Sequence, residues 1–117
     1  MPVAVAIKYK PKTRIEQLSM FVSIYCALKS VVISDSCIQM AAVFIEYGIN
    51  DKTKKFLMDD LKLFKTIGSY RNALTSLKNN GILVHDGYKN GYKLHQDLAK
   101  RDNEDIDLII RIEKPKV

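Results

Sequence analysis

Between residues 69 and 80 the side chains best suited to reading a nucleic acid recur at helical spacing. Arg71, Asn72 and Thr75 fall within one turn of each other, Ser69 stands before them and Lys78 one turn after. Arginine and asparagine can make paired hydrogen bonds to base edges in a major groove, and threonine can bond a base or touch a thymine methyl. Ser69 and Lys78 suit phosphate oxygens, as do Lys89 and Lys93 further on. Tyr70 lies in the same first turn, and Tyr88 sits where a ring could stack or wedge. The candidate contact set is therefore Ser69, Tyr70, Arg71, Asn72, Thr75, Lys78, Tyr88, Lys89 and Lys93. The same residues also fit a plainer description, the solvated side of a helix that buries Leu74 and Leu77, followed by ordinary turn residues.

Other chemistry is poorly supplied. His85 and His95 stand near the two ends of a short segment, but two imidazoles with no carboxylate or thiolate beside them make a poor metal site. Cys26 and Cys37 lie in apolar stretches and read as buried thiols in a reducing compartment, not as ligands or a disulfide framework. There is no nucleophile elbow, phosphate loop or paired-carboxylate constellation. No catalytic residue, cofactor or metal is expected, and the chain is not read as an enzyme.

Charge is unevenly spread. The total is +6, of which residues 51–95 carry nine basic and four acidic groups, against five and three in residues 1–50 and five and six in residues 96–117. A cationic middle third is the footprint of a surface that meets polyanions. Asp59-Asp60 interrupts it, and would repel phosphate if it faced the same way.

The elements that must position these residues follow from periodicity. With 117 residues, 47% hydrophobic and 27% charged, the chain is long and apolar enough for one cored domain. Residues 1–13 read as an extended arm or edge strand closed at Pro11. Thr13 with Glu16 three residues later matches a capping box, opening a helix from Arg14 to about Ser30 with Leu18, Phe21, Val22 and Cys26 on one broad face. Val31-Val32-Ile33 predicts a small strand. Ser34-Asp35 caps a second helix that runs to Tyr47 and stops at Gly48. Residues 52–65 are amphipathic but short, and either a helical segment or an ordered loop accounts for them. Ser69 is the expected N-cap of a third helix reaching about Asn80, with Gly81 ending it. The pattern then changes to two strands, 82–85 and 92–95, around Asp86-Gly87 and Asn90-Gly91, both strong hairpin signals. Residues 107–112 predict one more strand, able to pair with the N-terminal arm.

The stretch Ile67-Gly68-Ser69-Tyr70-Arg71-Asn72-Ala73-Leu74-Thr75-Ser76-Leu77-Lys78-Asn79-Asn80-Gly81-Ile82-Leu83, preceded by the helix from Ile33-Ser34-Asp35 to Tyr47-Gly48, resembles the winged helix-turn-helix family over residues 14–95. The resemblance implies an α+β, mainly α fold: three or four helices, a C-terminal β-hairpin wing and additional terminal strands, with 96–117 as an extension. It also implies a third helix that enters the major groove of duplex DNA and a wing that approaches the backbone, in a transcription regulator or replication accessory. Winged helices also serve as adaptors between proteins, for example in a phage particle or polymerase complex, and terminal edge strands would be the means. The longest apolar stretches are far below the roughly 20 residues that span a bilayer, and Met1 to Ala6 is not a secretory leader. A cytoplasmic setting is expected, in a cell or in the host of a virus, with no membrane partner; oligomeric state is left open.

Overall fold

Helix α1 begins where Thr13, in an extended conformation, turns its hydroxyl oxygen to the N–H of Glu16 at 3.1 Å. In this computed structural model, which describes residues 5–87, 91–99, 106 and 110–115, half of the predicted capping box forms. The Glu16 carboxylate reaches back past Thr13 to the Lys12 N–H at 3.2 Å and also takes the Tyr9 hydroxyl. Residues 5–10 are thereby tethered to α1 (Arg14–Leu28), but they form no strand and are exposed. The expected partner segment is no strand at 110–112 either, and 107–109 lie outside the described residues.

α1 ends earlier than its pattern suggests. Ser30 takes a left-handed conformation, φ 58°, while the Val31 N–H returns to the Cys26 carbonyl at 2.8 Å and the Ser30 N–H to that of Ala27 at 3.2 Å. This double reverse bond closes the helix and carries Val31 onto the core. Val31, Val32 and Ile33 are therefore a connection and not the predicted strand, and among the described residues nothing pairs with them.

α2 (Asp35–Tyr47) starts at Ser34, whose hydroxyl accepts the Cys37 N–H at 3.3 Å, and is the centre of the molecule. Met40, Ala41, Ala42, Val43, Phe44 and Ile45 are all buried. α1 packs along one side of it and the later helix α4 along another. Arg14 at the start of α1 bonds Glu46 near the end of α2 at 3.0 Å, which fixes the two helices antiparallel.

Gly48, φ 86°, stops α2, and Asn50 joins it to the next helical segment. The Asn50 amide nitrogen donates to the Tyr47 carbonyl at 3.2 Å while its oxygen accepts from the N–H of Thr53 at 2.9 Å and from the buried Thr53 hydroxyl at 3.2 Å. Residues 52–65, which periodicity leaves open between helix and loop, are largely helical. α3 (Asp51–Lys55) widens into a π-turn over Phe56–Asp60, with the Leu61 N–H bonded to the Phe56 carbonyl at 2.9 Å. Lys62, φ 51°, then turns the chain so that Phe64 enters the core.

α4 (Ile67–Asn79) is capped by Thr66 and not by Ser69; the Ser69 N–H donates to the Thr66 hydroxyl oxygen at 3.0 Å. Its buried side is Tyr70, Ala73 and Leu77, with Leu74 only partly covered. The helix closes through Gly81 at φ 76°, the Ile82 N–H reaching the Leu77 carbonyl at 3.0 Å and the Gly81 N–H that of Lys78 at 3.2 Å. Strands β1 (Leu83–His85) and β2 (Tyr92–Leu94) form an antiparallel hairpin in which Leu83 faces Leu94, Val84 faces Lys93 and His85 faces Tyr92. A single 3₁₀ turn, Gln96–Leu98, comes next, and Leu98 is fully buried. The core thus takes in a residue beyond the expected end at 95, and Ile106 also packs against it. The fold is α+β and mainly helical, with the hairpin after the helices, a layout compatible with a winged helix.

Both the closure of α4 and the capping of α1 can be tested. Gly81→Ala forces an alanine to φ 76° and should lower unfolding free energy by about 1–2 kcal/mol in urea titration; an unchanged value would show that this closure does not constrain α4. At the arm, hydrogen bonds from Tyr9 and from the Lys12 N–H hold the Glu16 carboxyl below the usual carboxylate range, and the first of these holds the Tyr9 hydroxyl above the usual phenol range. The tether is therefore complete above the pKa of an unfolded glutamate and is lost as pH falls through the lowered one. At the alkaline end it persists past the pKa of an unfolded tyrosine and is lost as Tyr9 ionises. The Lys12 amide resonance should report the acid step, and Tyr9→Phe should move its midpoint upward.

Candidate nucleic-acid interface

An α-helix can present a recognition face only if its opposite side is anchored, and in α4 that anchor is Tyr70, Ala73 and Leu77. Tyr70, expected among the contacts, is a core residue: it is 6% exposed and meets Phe64 edge-on with ring centroids 5.9 Å apart. Burial raises its phenol pKa, and the Lys54 ammonium stands 5.6 Å from the ring centre. Its ring is not available to a nucleobase. The reason lies in phase: positions 70, 73, 74 and 77 share one side of a 3.6-residue helix, so burial of Leu77 carries Tyr70 inward as well.

Ser69, Arg71, Asn72 and Thr75 are placed away from that anchor, and Ser69, Arg71 and Asn72 are exposed, together with Asn79. Arg71 and Asn72 therefore project from successive positions of an anchored helix, as a base-reading pair requires. Thr75 is less available as a donor, because its hydroxyl donates to the Arg71 carbonyl at 3.0 Å; its methyl and its oxygen lone pair are not used by that bond. On the flank that includes Asn72, α4 borders an open groove of about 780 Å³. Ser34 and Ser36 line its far side, and Leu63, Phe64 and Lys65 its end.

On the other flank, Lys78 does not simply extend into solvent. Its ammonium lies 4.0 Å from the centre of the Tyr92 ring, and His85 meets the same ring edge-on at 5.8 Å. Lys78, Tyr92 and His85 form a stack that ties the last turn of α4 to the outer end of the hairpin. Sequence reasoning does not single out Tyr92. Its signal is the cross-strand register: residues opposite in an antiparallel pair share a face, and the face that begins with Leu83 and Leu94 on the core continues to His85 and Tyr92.

Lys93 pairs with Val84 and so points from the opposite face of the hairpin, where it is exposed. It is not brought beside Lys78. Tyr88 and Lys89 lie outside the described residues. His85 and His95 are at opposite ends of the ladder: His85 Nδ1 accepts the Gly87 N–H at 3.0 Å, and His95 Nδ1 accepts the Asp97 N–H at 3.1 Å. Each imidazole thus acts as a turn cap, and among the described residues no group of His, Cys, Asp or Glu could hold a metal. Cys26 and Cys37 are buried free thiols, with that of Cys26 raised in pKa by burial. Among the described residues no helix is long and apolar enough to cross a membrane. No family model, curated protein or solved structure matches this chain.

The stack yields a measurable coupling. A double-mutant cycle of Lys78→Met and Tyr92→Leu should return about 0.5–1 kcal/mol in urea unfolding, the range of an exposed cation–π pair; strictly additive losses would mean that the helix and hairpin are not joined there.

Proposed function

We propose that this protein is a nucleic-acid-binding module of winged-helix type that contacts duplex DNA through α4 and the hairpin. The observation that carries the reading is the division of α4 into a core side and an exposed side bearing Arg71 and Asn72, with a β-hairpin tied to its end through Lys78 and Tyr92. A helix of this width fits the major groove, and Arg and Asn are the side chains that make paired contacts with guanine and adenine. The net excess of five positive charges in residues 51–95 supplies the sequence-independent attraction. Ser69 and Lys93 are assigned to phosphate, Arg71, Asn72 and Thr75 to base edges, and Lys78 to holding the hairpin while its ammonium neutralises the surface. A role as a transcription or replication accessory fits such a module.

A second reading is favoured by a separate observation. Val5 and Ile7 in the arm and Ile112 in the tail are 76%, 87% and 91% exposed, so both segments offer extended apolar side chains that the described residues leave uncovered. Such segments suit an adaptor that adds a strand to an open sheet edge of another protein.

Fluorescence anisotropy with a random-sequence duplex, titrated with salt, separates the two. The nucleic-acid reading requires binding in about the micromolar range at low salt, falling steeply as salt rises. Arg71→Ala should flatten sequence preference, with a cost of about 1–3 kcal/mol at the preferred base, whereas Lys93→Ala should weaken all sequences alike and reduce the salt slope by about one. Absence of binding at low salt overturns this function.

A further inference from the structure

Residues 17–28 are the longest run of the chain without a charged side chain, and residues 36–45 are the next longest. The second run belongs to α2, where burial on nearly every side accounts for it. The first belongs to α1, which buries only one side: Leu18, Phe21, Val22 and Cys26 face the core. Met20, Ser23, Ile24, Ala27 and Leu28 occupy the other side, Met20 being 38% and Leu28 58% exposed, at steps of three and four that place them in one seam. The polarity of Ser23 is spent within the helix, since its hydroxyl donates to the Ser19 carbonyl at 2.9 Å. A helix without a charged side is the pattern of one covered on both sides.

We propose that the outer seam of α1, centred on Ser23 and Ile24, is a homodimer interface in which two copies pack α1 against α1, antiparallel, about a two-fold axis. The occupant follows from charge and shape. An acidic partner or a nucleic acid finds no cation along this seam, and a basic partner finds only Glu16, whose carboxylate already takes the Tyr9 hydroxyl and the Lys12 N–H. A bilayer surface calls for large apolar side chains bordered by lysines, whereas here serine and alanine interrupt the apolar ones. A second charge-free helix with small residues fits, and another copy presents one. With the axis between Ser23 and Ile24, Met20 of one copy falls opposite Ala27 of the other, a long flexible side chain over a small one.

Area sets the expected strength. A helix of 15 residues is about 22 Å long, and its seam alone offers a few hundred Å² per copy, below the roughly 800 Å² per partner of a standard interface. The arm supplies more. Tyr9 ties it to the same outer edge of α1, and antiparallel pairing directs Val5 and Ile7 toward Leu28 and Val32 of the other copy, which are 58% and 92% exposed. The dimer is therefore weak and reversible. It also responds to salt in a sense opposite to nucleic-acid binding: copies of charge +6 repel, so screening strengthens their association. The two properties fail separately.

Sedimentation velocity of the full chain, without nucleic acid and up to about 1 mM, tests this at low and high salt. The average mass should rise toward the dimer with concentration, and more so at high salt. Ile24→Glu should weaken self-association about tenfold or more by placing a carboxylate on the axis, with helical circular dichroism unchanged. Ala27→Glu, at an exposed position, should do the same and serves if Ile24→Glu perturbs folding. A single monomeric species at every concentration and salt, or a dimer that survives both substitutions, overturns the proposal.

Discussion

Six consecutive residues of α2, from Met40 to Ile45, are withdrawn from water, so this helix has no solvent side over nearly two turns. Every other element is placed by the need to cover it. α1 lies along one side and is fixed in direction by the Arg14–Glu46 bond. α4 covers another through Tyr70, Ala73 and Leu77. Phe64 and Leu57 reach in from the intervening segment, whose π-turn and left-handed Lys62 deliver Phe64 to the core. Two adjacent alanines, Ala41 and Ala42, leave room for neighbours to approach the α2 backbone, and apolar burial supplies the driving force.

The exposed side of α4 is a consequence of that arrangement. Once Tyr70 and Leu77 are committed to the core, the 3.6-residue repeat leaves Arg71, Asn72, Thr75 and Asn79 outward whatever their function. Base-reading chemistry on this helix therefore carries meaning through its residue types, and the hairpin adds position. Cation–π contact from Lys78 holds Tyr92, the closure at Gly81 aims the strands, and the histidines at each end of the ladder cap backbone turns with neutral Nδ1 atoms.

Much of this is legible in the sequence. The extents of α2 and α4, the breaks at Gly48 and Gly81, the hairpin and the buried cysteines follow from local patterns, and all are present. The departures share a cause: most depend on contacts distant in the chain. Val31, Val32 and Ile33 have β-branched side chains suited to a strand, but no described strand lies beside them, and the reverse hydrogen bonds from Ser30 and Val31 take their place. Ser69 is a good cap by type, but Thr66 stands one turn earlier with the same chemistry. A tyrosine next to Arg71 suggests stacking on a base, while the helical phase of Tyr70 with Ala73 and Leu77 dictates the core. The terminal segments alternate as strands do, yet alternation cannot say whether a partner is in the same chain. The Lys78–Tyr92 stack requires a strand register that turn signals alone leave undetermined.

Leu98 changes what the hairpin can tolerate. Ile82 and Leu83 root its first strand in the core, and Leu98, just past the second strand, roots the exit. A loop pinned at both feet can lengthen at small entropic cost, since closure entropy grows only with the logarithm of length. Residues between Asp86 and Gly91 are consequently the place where this protein can gain or lose length and charge over evolutionary time while its interior stays intact. Divergence in what the finger touches would be written at its tip, with the framework beneath it unaltered.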